Sequence, residues 1–414
     1  MKVVIMAGGK GTRIASVNAD VPKPMIPIDG KPILEYQINS LSAQGYREII
    51  LIIGHLGHVI RDYFSDGSNW NVDITYIEET TPLGTAGALF YLKGQITDDF
   101  LLLNGDIIFD VDIQRFLSYH KAQGTMATIL THPNSHPYDS GIIVADNEGR
   151  ATNWLHKEDP RLWYRNRVNA GLHMLSPRIF SLFADLQKKD LDRDILKPLI
   201  AQRELSVYDS PEYIKDMGTP DRYYSVIEDI HSGKVASKNL TRKQKAIFLD
   251  RDGTINQYVG FLTDINDFEL LDGVAEAIKQ INESGYLAIV ASNQPVIARG
   301  EVTSEELQEI HNKMETLLGQ KGAYLDAIFY CPHHPHKGYE GERPEYKIEC
   351  ECRKPKPGML LAAAEKYNID LTASWMIGDS DNDIEAGLAA GCKVIKINTN
   401  SSELCSAVKM ILEQ

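Results

Sequence analysis

Residues 246–254 read Ala-Ile-Phe-Leu-Asp-Arg-Asp-Gly-Thr, four apolar residues running straight into two carboxylates. A short apolar run closed by a turn signal reads as a buried strand of a parallel sheet, and acidic groups at its end stand where doubly wound folds put their chemistry. The alternation continues downstream: a helical period near 274–283, a strand at 286–292, a helix at 304–318, a strand at 327–331, a helix at 358–367, and strands at 374–379 and 392–397. Immediately upstream, residues 232–245 (SGKVASKNLTRKQK) are polar and basic with scarcely any apolar period, the composition of a linker. Before that lies a first alternating series, with strands at 2–6, 48–53, 72–77 and 99–104 and helices near 33–44 and 85–92. The expectation is an α/β chain of two domains, 1–231 and 246–414, joined by residues 232–245. The halves share a class but no motif, so they are two different domains rather than a duplication.

Length and composition agree with that division. At 414 residues the chain exceeds a comfortable single core, and 43% hydrophobic with 24% charged residues is an ordinary globular balance. A formal charge of -14 excludes a nucleic-acid partner gripped by its phosphates, which needs a basic face. Small anionic substrates stay compatible where local Lys, Arg or metal ions reverse the field. No segment is long and apolar enough to span a membrane, and the N-terminal MKVVIMAGGKG reads as a buried strand rather than a signal peptide. Of five cysteines, Cys331, Cys350 and Cys352 crowd one region, which suggests a metal site in a reducing, cytoplasmic compartment rather than a disulfide framework. A homo-oligomer is compatible with the sequence.

In the first half, Gly8, Gly9, Lys10, Gly11, Thr12 and Arg13 follow the first strand directly. Backbone N–H groups of such a loop can turn toward a phosphate chain while Arg13 adds charge; taken alone, the same run is a tight turn that needs glycine. Beyond it come Val21-Pro-Lys-Pro24, Pro82-Leu-Gly-Thr-Ala-Gly87, Asn104-Gly-Asp106, Asn169-Ala-Gly171 and Asp216-Met-Gly-Thr-Pro220. This series, in this order, resembles the sugar-1-phosphate nucleotidyltransferase family over about the first 230 residues. The resemblance implies a Rossmann-like, GT-A-like domain in which a sugar 1-phosphate oxygen attacks the α-phosphorus of a nucleoside triphosphate. It assigns the triphosphate to Gly8, Gly9, Gly11, Thr12 and Arg13, a phosphate contact to Lys23, the base region to Gly84, and Mg²⁺ to Asp106 and Asp216. Lys157, Asn169 and Gly171 fall to the sugar phosphate. The family usually carries an acidic residue where His156 stands before Lys157. No side chain declares the base.

In the second half, Asp250 can attack phosphorus as a carboxylate while Asp252 protonates the leaving oxygen and later activates water. A calcium-type or turn-forming acidic loop shares the D-x-D-G core. The run resembles the first motif of haloacid-dehalogenase-type phosphatases, and Ser292-Asn293, Lys354, Gly378-Asp379 and Asp383 follow in that family's order. The resemblance implies a Rossmannoid fold, phosphate contacts from Ser292, Asn293 and Lys354, and Mg²⁺ held by Asp250, Asp252 and Asp379, with Asp383 completing the site.

Residues 331–352 hold too few apolar groups for a core of their own. Cys331, His333, Cys350 and Cys352 form one C-x-H and one C-x-C pair, suited to a closed structural zinc site, with His334 an alternative to His333. This loop, followed by Arg353-Lys-Pro-Lys-Pro-Gly358, resembles the heptose-1,7-bisphosphate 7-phosphatases and related histidinol phosphatases, and implies that Arg353 and Lys354 contact phosphate. Pro295 and Val296 stand where that subfamily carries small residues.

A phosphatase that trims a sugar bisphosphate makes the sugar 1-phosphate that a nucleotidyltransferase consumes. The two resemblances together imply consecutive steps: D-glycero-α-D-manno-heptose 1,7-bisphosphate to its 1-phosphate, then GTP to GDP-heptose and pyrophosphate, for cell-surface polysaccharide. Another sugar or base, an unrelated histidinol phosphatase, and a non-catalytic nucleotide-sugar sensor are the competing readings. Intact Lys23, Asp106, Asp216, Asp250 and Asp252 weigh against the last.

Overall fold

In the computed structural model, which describes residues 1–9, 21–338 and 340–413, the strand Val3–Met6 lies between Phe100–Asn104 and Glu48–Ile53 with Asp73–Glu78 beyond, all parallel. The strand order therefore reverses beside Val3–Met6, and a crevice opens at the carboxyl ends of the strands there. Alternate residues of each strand go to opposite faces. Val3, Ile5, Ile49 and Leu51 enter one core cluster and Val4, Ile50, Ile52 and Leu102 the other, so both faces are covered and the strands need no polar alternation.

Antiparallel strand Val168–Leu175 extends this sheet past Phe100–Asn104. A separate ribbon pairs Ile107–Asp110 with Tyr213–Asp216 so that Asp216 faces Ile107, and Met217 N–H donates to Asp106 O at 3.0 Å. That register brings two aspartates far apart in sequence to one end of one ribbon. The helix expected near 85–92 is instead a 3-10 helix, Gly87–Leu92. Its entry is tied to another segment, because Ala86 N–H donates to Lys189 O at 3.0 Å and Lys189 N–H donates to Leu83 O at 3.0 Å. Tertiary bonds override the local helical period.

By spatial clustering the chain forms two units. The first contains Met1–His132, Ile143–Trp154 and Asn169–Ala236; the second contains Pro133–Ile142, Leu155–Val168 and Ser237–Gln414. Within the second, five parallel strands run in the order Ala327–Cys331, Tyr286–Asn293, Lys245–Leu249, Trp375–Gly378, Lys393–Lys396. Lys245–Leu249 is central, so Asp250 emerges at the reversal of strand order. Helices Val274–Glu283, Ser304–Gln320 and Gly358–Tyr367 lie where the periods place them, the second opened by a Thr303–Glu306 capping box.

The stretch read as a linker is ordered. After the short helix Lys234–Ser237, the residues Lys238, Asn239, Leu240 and Gln244 are buried, and Gln244 Nε2 donates to Asn239 O at 2.8 Å. Polar side chains that bond their own backbone leave no apolar period to read. Among the described residues no helix is long and apolar enough to cross a membrane.

Inside the second unit, Arg167 and Glu315 form an ion pair at 3.2 Å with side chains only 3% and 1% exposed, and Arg167 also donates to Asp326 O at 3.0 Å. Removing one member strands a buried charge at a cost of about 3–5 kcal/mol. Glu315→Ala is therefore expected to lower the unfolding free energy by an amount of that order, seen as a lower urea midpoint. The double change Arg167→Met with Glu315→Leu should recover most of the loss, as read by urea unfolding of the full chain.

Candidate active sites

At the carboxyl edge of the first sheet lies a pocket of about 860 Å³ lined by Gly8, Gly9, Lys23, Glu79, Gly84, Asn104, Asp106 and Gly218 among others. Lys23 Nζ is in direct contact with Asp106 Oδ2. Asp216 accepts from Arg222 Nη1 at 3.0 Å and from Gly218 N–H at 2.9 Å. Burial alone would raise the Asp216 pKa, but Arg222 and these donors hold it below the usual carboxylate range. The two aspartates offer carboxylate oxygens from one end of one ribbon, donors of the kind a hard cation such as Mg²⁺ takes. Gln37, 1% exposed on the helix Ile33–Ala43, donates to both Asn104 O and Ile107 O at 2.9 and 2.8 Å and so fixes the turn that carries Asp106.

Gly84 has φ +80°, and a Cβ there would stand 2.4 Å from Lys189 O, so both conformation and space require glycine. Sequence reading passed over Glu79. It lines this pocket beside Gly8, where a Cβ would stand 2.5 Å from Glu79 Oε2, and its Oε1 has no hydrogen-bond partner among the described residues. Burial raises its pKa, against the pull of the Leu83 N–H. Only its position opposite the glycine loop distinguishes it from its neighbour Glu78, which pairs with Arg61 on the surface.

Gly11, Thr12 and Arg13 lie outside the described residues. Asn169 Nδ2 donates to Asp192 Oδ1 at 3.2 Å and Gly171 N–H donates to Asn169 Oδ1 at 3.0 Å. Burial, then Asp190, pushes the Asp192 pKa up to about 7. Lys157 is exposed, on a turn where His156 N–H bonds Asp159, in a segment that clusters with the second unit.

The second unit has its own pocket, of about 420 Å³, lined by Asp250, Asp252, Ser292, Asn293, Gln294, Arg353, Lys354, Asp379 and Asp383 with Tyr258 and Phe261 at the side. Lys354 Nζ reaches Asp250 Oδ1 at 2.8 Å and Asp383 Oδ1 at 2.5 Å. Its backbone is held by a reciprocal amide pair with Asn293, both bonds 3.0 Å, which makes Asn293 an anchor for the lysine. Carboxylate oxygens of Asp250, Asp379 and Asp383 lie within 4.8 Å of one another. Burial raises the Asp250 pKa to about 7, Lys354 opposes this, and Asp383 and Asp252 add to it. Three carboxylates crowd round one lysine here, and this oxygen donor set fits a divalent cation.

The side chain of Asp252 lines the same pocket but is not a member of that cluster. It accepts from Arg251 Nη2 at 2.8 and 2.9 Å, from Gln294 Nε2 at 2.8 Å and from Asn256 Nδ2 at 3.1 Å. Burial works against it, yet these donors, Arg251 first, keep its pKa low. Of the four aspartates that the resemblance gives to the metal site, Asp250, Asp379 and Asp383 thus cluster and the Asp252 side chain is not among them. Gln294 also donates to Ser292 Oγ at 2.8 Å. Pro295 and Val296 line the pocket mouth, Val296 packing with Ile297, Val302 and Leu307.

Beside this pocket Cys331, His333, Cys350 and Cys352 converge, with Sγ···Sγ separations of 3.2–3.5 Å and His333 Nδ1 3.3 Å from Cys352 Sγ. His333 is the histidine that joins the cluster, while His334 Nδ1 accepts from His336 N–H at 3.2 Å. Hydrogen bonding, from Cys331 first, lowers the Cys352 pKa to about 5, a thiolate at neutral pH. Three sulfurs and one imidazole at these separations suit tetrahedral Zn²⁺. Arg353 Nη1 donates to His333 O at 3.1 Å, which ties a pocket-lining cation to the Cys/His cluster.

Residues 2–233 match the nucleotidyl transferase family and residues 351–410 the HAD-hydrolase-like family. The chain belongs to the nucleotidyl transferase family in its first half and to the HAD-type phosphatases in its second. For the latter, a D-glycero-beta-D-manno-heptose-1,7-bisphosphate 7-phosphatase of Yersinia pestis is 44% identical over 158 residues, 38% of this chain and 82% of the relative. Its counterpart in Escherichia coli K12 is 42% identical over 38% of this chain and 81% of the relative. Among solved structures, HddC from Yersinia pseudotuberculosis complexed with GMP-PN is similar at 27% identity, covering 55% of this chain and 99% of that one, with a TM-score of 0.48. This fusion enzyme carries both a transferase half and a phosphatase half.

The geometry makes the Cys/His loop a support for Arg353. A structural zinc contributes on the order of 10 kcal/mol to ordering such a loop. Cys352→Ser is expected to expose residues 332–349 to trypsin and to raise KM for a phosphate ester more than it lowers kcat, checked by limited proteolysis and steady-state assays.

Proposed function

We propose that the second unit hydrolyses the 7-phosphate of D-glycero-α-D-manno-heptose 1,7-bisphosphate and that the first couples the resulting 1-phosphate to GTP, giving GDP-heptose and pyrophosphate. The observation that carries this reading is that one chain holds two built pockets whose chemistries are consecutive, one that releases a sugar phosphate and one that consumes it.

In the phosphatase, Asp250 forms a bond to phosphorus as the bond from phosphorus to the sugar oxygen breaks, and Asp252, whose proton affinity the incoming phosphate charge raises, gives that oxygen its proton. Water then attacks the aspartyl phosphate, the bond from phosphorus to Asp250 breaks to release inorganic phosphate, and the water's proton returns to Asp252. Lys354 spreads the charge of the five-coordinate phosphorus, and Arg353 suits the second phosphate of a bisphosphate. Mg²⁺ held by Asp250, Asp379 and Asp383 would add charge neutralisation. The curated relatives are named for the β anomer; the α anomer is assigned here from the resemblance of the first half to GDP-heptose-forming transferases.

In the transferase, a sugar 1-phosphate oxygen attacks the α-phosphorus and pyrophosphate leaves. Lys23 faces the phosphates, while Asp106 and Asp216 would hold Mg²⁺, which screens the two anions as they meet. Glu79 supports the choice of guanine. A carboxylate with a free oxygen accepts from two adjacent donors, and the guanine edge offers N1–H and N2–H₂, whereas adenine presents an acceptor at N1.

Full-length protein with the bisphosphate, GTP and Mg²⁺ is expected to release phosphate and pyrophosphate and to form GDP-heptose, faster from the α anomer than from the β. No GDP-heptose from either anomer would end the proposal. Glu79→Gln should cut the preference for GTP over ATP roughly 10- to 100-fold, the worth of about 1–3 kcal/mol of base discrimination, in a triphosphate panel with pyrophosphate detection. Asp250→Asn is expected to lose bisphosphate hydrolysis by roughly 10⁴-fold or more while still transferring guanylate to supplied heptose 1-phosphate.

A further inference from the structure

The acid/base carboxylate of the phosphatase is gripped by a network that reaches back to an unrelated helix. Arg251, 0% exposed, spends Nε and Nη2 on Asp252, at 3.2, 2.8 and 2.9 Å. Its remaining nitrogen, Nη1, donates to Nε2 of His311 at 3.2 Å. His311 is 1% exposed on the buried face of the helix Ser304–Gln320, with its ring packed 5.5 Å from that of Tyr330.

Arg251 and Asp252 are neighbours in the chain, so without a third group the guanidinium could meet the carboxylate in many ways. A guanidinium has five donors in a rigid plane, and fixing the far one fixes the orientation of the rest. His311 supplies the acceptor without adding charge. Burial, then Arg251, holds the imidazole pKa down near about 3, so it presents a lone pair rather than a second cation. A carboxylate at this position would instead compete with Asp252 for the arginine.

We propose that His311 is a positioning residue of the phosphatase, holding the Asp252 carboxylate, through Arg251, in line with the leaving-group oxygen. The inference rests on the phosphatase reading above and adds to it a residue that lines neither of the two pockets described. Its signature is dependence on the leaving group. An alkyl phosphate needs a proton on the departing oxygen, whereas p-nitrophenolate departs without one.

The test compares full-length wild type, His311→Phe and His311→Gln in the first turnover, by rapid quench. For heptose bisphosphate, His311→Phe is expected to slow release of the alcohol about 10- to 100-fold, part of the roughly 10²–10⁴ that a positioned acid supplies. First-turnover release of p-nitrophenol from p-nitrophenyl phosphate should stay within about threefold of wild type. His311→Gln, whose amide oxygen can accept from Arg251, should restore most of the alkyl rate. Equal losses on both substrates, or no loss on the alkyl ester, would overturn the proposal. If wild type ignores the heptose bisphosphate, the substrate reading fails, and the same comparison with glycerol phosphate still reads His311.

Discussion

Negative charge concentrated in low dielectric must be answered, and in this enzyme the chain answers it from within. Lys354 stands between Asp250 and Asp383, Lys23 meets Asp106, Arg222 grips Asp216, and Arg251 grips Asp252. Asp250, Asp383, Asp106, Asp216 and Asp252 are each already matched with a cation of the chain itself. A protein of formal charge -14 thereby gains pockets fit for phosphates. The matching also ties distant segments together, since Lys354 reaches Asp250 over 104 residues of chain.

Both pockets sit where a parallel sheet reverses its strand order, and that placement was legible from sequence. Runs such as Val3–Met6 and Ala246–Leu249 are apolar on successive residues because both faces of the sheet are covered, and the groups that follow them fall at the carboxyl edge. The Cys/His cluster was legible for a different reason: ligand chemistry restricts which residue types crowd together, and their spacing survives as a pattern. Which histidine of the run takes part is not encoded in the spacing; His333 joins the cluster, while His334 bonds His336 N–H.

Other features were illegible for physical reasons. Glu79 has a surface-type neighbour, Glu78, and only the fold turns it toward the glycine loop. That the Asp252 side chain stands apart from the Asp250, Asp379 and Asp383 cluster was not readable from the motif, because its bonds go to donors such as Gln294 and Asn256 that lie outside the two-aspartate run. The 232–245 stretch looked like a linker because its buried groups are mostly polar: of them Leu240 alone enters an apolar cluster, while Lys238 is met by an ion pair to Asp326 and Gln244 by a bond to Asn239 O. Gln37 likewise gives no signal, since a glutamine inside a helix is ordinary until its two carbonyl partners are known.

The chain passes between its two spatial units at 132/133, 142/143, 154/155, 168/169 and 236/237, so residues 133–142 and 155–168 lie within the nucleotidyl transferase sequence yet fold with the phosphatase. A gene of this kind is not two cassettes laid end to end. A recombination breakpoint in 232–245 would deliver a phosphatase without Arg167, and with Glu315 left facing an empty place. Exchange of either activity between lineages is therefore constrained to carry both stretches along, or to rebuild the surface they cover.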